Sequence, residues 1–121
     1  MGELQKKSFD QSDEVREMEG AQVHMLRFPQ ATVGRYTMQP GWRWSSHVGP
    51  NMGLERCPLE HMGVAVAGTL RIELEDGSTL ELTAGDVYTV PPGHDAVVVG
   101  DDTYVAYEFN SDSAEYFSQE D

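Results

Sequence analysis

Between Gly68 and Val99 the chain reads GTLRIELEDGSTLELTAGDVYTVPPGHDAVVV, which leaves little choice of local structure. Residues 70–75 and 79–83 alternate apolar with polar side chains, the period of a strand with one face buried. Asp76-Gly77 stands between them, the strongest short-range signal for a β-hairpin. Residues 87–90 form a third extended run, which ends at Pro91-Pro92-Gly93. Each proline removes a ladder donor, so the triplet marks a corner and not the middle of a strand. Extended structure resumes over 96–99, turns at Gly100-Asp101-Asp102 and continues over 104–109. The corner delivers His94 to the start of the run that follows it.

Upstream the pattern is similar but more broken. Val23, Met25 and Phe28, then Val33, Tyr36 and Met38, fall in short runs interrupted by Pro29 and Pro40-Gly41. The run WRWSSHV sets Trp42, Trp44, Ser46 and Val48 against Arg43, Ser45 and His47, and so also reads as a strand. Roughly eight to ten short strands with regular turn signals predict an all-β, antiparallel barrel or jelly roll. Three segments follow: a polar N-terminal arm over 1–20, frayed or briefly helical near 11–19; a barrel over 21–110; and an acidic C-terminal tail over 111–121. Tyr116 and Phe117 in that tail are expected to dock on the barrel or on a second copy.

The 121 residues suit one domain with a real core. A formal charge of −13, from 8 Lys plus Arg against 21 Asp plus Glu, disfavours nucleic acid and anionic membranes as partners. Cys57 is the only cysteine, so no disulfide forms within the chain. The first 20 residues lack the apolar stretch of a secretory signal, and no run approaches the roughly 20 apolar residues that span a bilayer. A cytoplasmic location is expected.

GDVYTVPPGH, from Gly85 to His94, resembles the second conserved motif of the cupin superfamily: glycine, five residues, Pro-x-Gly, then histidine. The first cupin motif has a counterpart in spacing. Gly49 is followed after five residues by Glu55-x-Cys57, after three more by His61, and after six more by Gly68. The ligand types are permuted: Glu55 and Cys57 stand where that motif has two histidines, and His61 where it has a glutamate. In the second motif the usual histidine position is Ala96. His94 lies two residues before it, and so shares its face of the strand. The resemblance covers about residues 38–109 and implies a cupin-type barrel with a metal inside it.

Thiolate and neutral imidazole are ligands for zinc and other late first-row divalent metals. Three of the four histidines, His47, His61 and His94, lie in segments that a cupin barrel brings together. With Cys57 they form the expected metal set, Glu55 being the alternative to His47. Zinc is favoured; iron, nickel, manganese and copper are the other candidates. His24 reads as structural or surface. Arg43 and Arg71 read as surface ion pairs unless they point inward. Trp42, Trp44 and Tyr36 read as core or interface, with a substrate-stacking role as the alternative.

Cupins support many reactions, so the site and not the fold must choose among them. The expected activity is metal-dependent carbonyl or enolate polarisation on a small oxygen-rich molecule, of isomerase, lyase or cyclase type ahead of dioxygenase. The alternative is a metal-stabilised binding or sensor module. A small-molecule ligand is the expected partner. A homodimer pairing through the WRW strand and the N-terminal strand is the expected assembly.

Overall fold

The computed structural model describes residues 3–109. Nine strands form two antiparallel sheets: β1 (Glu14–Met18), β2 (Ala21–Arg27), β3 (Thr32–Met38), β4 (His61–Ala67), β5 (Thr69–Leu74), β6 (Thr79–Thr83), β7 (Val87–Val90), β8 (His94–Val99) and β9 (Tyr104–Phe109). The larger sheet runs β1-β2-β3-β9-β4-β7 and the smaller β6-β5-β8. Their inner faces follow the strand period. Tyr36 and Met38 of β3 and Tyr104 and Ala106 of β9 enclose the core from one side, and Leu70, Ile72, Ala96 and Val98 from the other.

Two punctuation marks in the sequence do the work expected of them. Gly77 turns the β5–β6 hairpin at φ +90°, and the Asp76 carboxylate accepts the Ser78 N–H at 2.8 Å. Leu70 pairs with Leu82 across that hairpin, both buried. The Pro91-Pro92-Gly93 corner joins β7, at the edge of the large sheet, to β8, at the edge of the small one. It is the point where the chain changes sheets, which is why no ladder donor is missed there. Gly93, at φ +91°, completes the turn.

Two local expectations are corrected. WRWSSHV is not a strand. Trp42 still pairs, its carbonyl accepting the Val98 N–H at 2.8 Å, and Arg43 is extended; the chain then coils into α1 (Trp44–His47) and α2 (Gly49–Met52). Alternation is therefore genuine from Trp42 to Trp44 and ends there, because Asp95 of β8 captures the Ser45 N–H and hydroxyl and starts a helical turn. Both tryptophans are 4 % exposed, so they belong to the core, and the dimer surface expected from them is not available. The short helix near 11–19 is likewise replaced, by a 3-10 turn at Phe9–Gln11 and by β1, which pairs with β2 along its whole length. Half-buried Glu14, Arg16 and Met18 alternate there with exposed Val15 and Glu17, so charged residues lie on the more buried face and the sequence pattern does not announce a strand. The tail over 111–121, with Tyr116 and Phe117, lies outside the described residues. Among the described residues no helix is long and apolar enough to cross a membrane.

Candidate metal centre

Three separate segments bring Cys57, His61 and His94 together. His94 opens β8 as it leaves the corner. Cys57 is pinned to it by a two-way bridge: the Cys57 N–H donates to the His94 carbonyl and the Gly93 N–H to the Cys57 carbonyl, each at 2.8 Å. His61 opens β4 four residues later, opposite Val90 of β7. The sulfur and one ring nitrogen from each histidine all lie within 4.8 Å of one another. Cys57 Sγ is 3.6 Å from His61 Nε2, and the two imidazoles meet edge to face at 4.9 Å between centroids.

The outer nitrogens of both rings are tied to oxygens. His94 Nδ1 meets the Pro91 carbonyl at 2.7 Å and His61 Nδ1 meets Glu108 Oε1 at 2.9 Å. Such bonds on Nδ1 fix the ring and leave Nε2 for the cluster, the arrangement found around histidines that hold metals. Glu108, 6 % exposed, accepts a second hydrogen bond, from the Tyr88 hydroxyl at 2.8 Å. Gly63 makes this pair possible: a Cβ there would meet the Tyr107 carbonyl, and the Tyr88 hydroxyl at 3.0 Å.

Burial works against charge in this cluster, yet the neighbours prevail. Desolvation pushes the Cys57 thiol up, but hydrogen bonds from His61 and His94 bring it down to about 7. Desolvation alone lowers His61; Cys57 and Glu108 together raise it to about 10. Burial and the Glu108 charge raise the Tyr88 phenol, so it keeps its proton. Both shifts favour a proton held between Cys57 and His61 when no metal is bound.

The donor set fits a late divalent ion. Zinc bonds of about 2.0–2.3 Å place tetrahedral ligands about 3.3–3.8 Å apart, and the Cys57–His61 spacing already falls in that range. His47 stands apart from this group. Its Nδ1 accepts the Arg43 N–H at 3.1 Å within α1, and its Nε2 faces Glu19 at 3.9 Å. Helical coiling at 44–47 turns it away, and that was invisible in an alternating run. Glu55 is exposed and also lies outside the group. His24 is held by Ser12 and Gln22. Arg43 bridges Glu73 at 3.0 Å and Asp95 at 2.8 Å, and Arg71 pairs with Glu81 across the hairpin. Neither arginine lines the interior cavity, a space of about 40 Å³ onto which His61, His94, Tyr88, Glu108 and the two tryptophans face.

No family model matches the chain, and no curated protein matches its sequence. Solved structures do match. A cupin domain from Bordetella pertussis is 23% identical with a TM-score of 0.52, over 76% of this chain and 93% of that one. The fold is the cupin fold. The polyketide cyclase RemF from Streptomyces resistomycificus, 12% identical, has a TM-score of 0.65 over 90% of this chain and 80% of its own. Bacillus subtilis oxalate decarboxylase, studied for its Mn(II) centres, is 23% identical with a TM-score of 0.61. That match takes in 84% of this chain and only 28% of the decarboxylase.

Sequence reading missed Glu108. The signal was present: in YVAYEF the inward positions 104, 106 and 108 are Tyr, Ala and Glu, an acid in register with core residues.

Proposed function

We propose that this cupin barrel is a metal-dependent enzyme acting on a small molecule, with a divalent ion, zinc by preference, held by Cys57, His61 and His94. The observation that carries this reading is the convergence of three soft donors within 4.8 Å, each histidine braced on its outer nitrogen. Three protein ligands leave a tetrahedral ion one position for a substrate, whereas a closed structural site takes four. That favours the enzyme over the binding module. A metal there supplies Lewis acidity, polarising a carbonyl or stabilising an enolate.

The chain's own residues do the rest. Glu108 orients His61 and absorbs its charge. Tyr88 holds its proton and shares it with Glu108. Isomerase, lyase or cyclase chemistry is favoured over dioxygenase chemistry, because Glu108 is engaged by His61 and Tyr88 and does not complete a two-histidine, one-carboxylate set.

A second reading rests on the same atoms. Cys57, His61 and Glu108 are aligned as nucleophile, base and orienting acid. His94 weighs against it, since such a triad has no use for a second imidazole beside the sulfur. Elemental analysis decides. About one equivalent of metal is expected in the purified protein, with loss in both Cys57→Ala and His61→Ala. Unchanged content in both variants overturns the metal site.

A further inference from the structure

We infer that the cavity beside this cluster selects a small, predominantly apolar carbonyl compound, with its oxygen at the Cys57–His61–His94 end and hydrocarbon elsewhere. The destination of the oxygen rests on the metal reading; the hydrocarbon part rests on the walls alone. This narrows the oxygen-rich substrate expected from sequence.

The titratable side chains at the cavity already have partners. Both Glu108 oxygens are engaged, one by His61 and one by Tyr88, and both histidines have used Nδ1. Among the described residues no Lys, Arg, Asn, Gln, Ser or Thr lines the space. Its other walls include Leu70, Ile72, Leu82, Val90 and Ala96. Of the lining residues, Trp42 alone has a fully buried polar side-chain atom without a partner, its Nε1–H, among the described residues. Polar atoms that could serve a ligand are therefore confined to the indole and phenol groups and to the end where His61, His94 and Glu108 lie. A ligand hydroxyl placed against Leu70, Ile72, Leu82, Val90 or Ala96 loses water and finds no partner. The run of hydrocarbon walls suits an alkyl chain and not a sugar, whose hydroxyls would each need a partner there.

The test compares pentan-2-one with 4-hydroxybutan-2-one, which have equal numbers of non-hydrogen atoms and the same methyl ketone, and differ in a terminal methyl or hydroxyl. Each is titrated into the nitrogen-15-labelled full chain, with metal content measured on the same sample. The readout is the indole N–H signal of Trp42, assigned through Trp42→Phe. The two tryptophans of the chain both line the cavity, so their signals report its occupancy. Pentan-2-one is expected to move the Trp42 signal saturably and to bind at least about ten-fold more tightly. Equal or tighter binding of the hydroxyketone overturns the inference, as does the absence of any saturable shift with either ketone. A ten-fold preference in a sample that carries no metal upholds the hydrocarbon walls and removes the metal reading, so the two fail separately.

Discussion

Glu108 is the side chain on which the centre turns. It sits on the core face of β9 with both oxygens in use, and a buried carboxylate is tolerable only because His61 and Tyr88 satisfy it. Glu108→Gln keeps the shape and removes the charge that holds His61. Metal affinity is expected to fall by about 10–100-fold, measured by competition with a chromogenic chelator. Tyr88→Phe leaves the His61 bond in place and is expected to cost less. Protons compete with metal for Cys57 and His61, so the ion is expected to leave on acidification; full retention at about pH 4 argues against these ligands. Cys57, His61 and His94 were legible because their spacing carries information whatever the side chains are. His47 lies outside the group because its run alternates only briefly before it coils into α1.

At the scale of elements, two contacts set how strands and helical turns meet. Asp95 ties β8 to α1: Oδ1 accepts from the Ser45 and Ala96 N–H groups, Oδ2 from the Ser45 hydroxyl and Arg43. Burial pushes its carboxyl up, but the Ser45 and Arg43 hydrogen bonds outweigh this and hold it below the ordinary aspartate range. A depressed folded-state pKa contributes stability above the unfolded value and loses it as pH falls through the folded one. Asp95→Asn removes hydrogen bonds to a charged acceptor and is expected to cost about 2 kcal/mol at pH 7 by urea denaturation, and the gap from the parent should narrow as pH falls below the ordinary aspartate range. A constant gap across that range refutes the assignment. Gly63, where β4 passes β9, leaves no room for a methyl beside the Tyr107 carbonyl. Gly63→Ala is expected to destabilise by about 1–3 kcal/mol and to weaken metal binding as it displaces Glu108.

At the scale of the whole molecule, charge and the proposed metal are expected to act in opposite directions. A net charge of −13 on 121 residues repels itself in the folded state, so raising salt from about 10 mM to 150 mM is expected to raise Tm as the Debye length shrinks. Saturation with metal at about 100 times Kd adds about 2.7 kcal/mol, roughly 10 °C in Tm for a domain of this size. A chelator should remove that increment in the parent and leave the Cys57→Ala variant unmoved. An equal response in both would place the metal elsewhere.

Local chemistry determined much of this protein. The Asp76-Gly77 hairpin, the proline corner, the short alternating runs and the motif spacing around Cys57, His61 and His94 need no distant contact to be read, because each is a statement about neighbouring residues and strand period. What tertiary structure alone decided involves partners far along the chain. Asp95 converts residues 44–47 from strand to helical turn, and pairing with β2 makes residues 14–18 a strand despite their charges. The β9 register carries Glu108 across the sheet to His61, 47 residues away in sequence, since hydrogen bonds between strands reach over distances that no local pattern records.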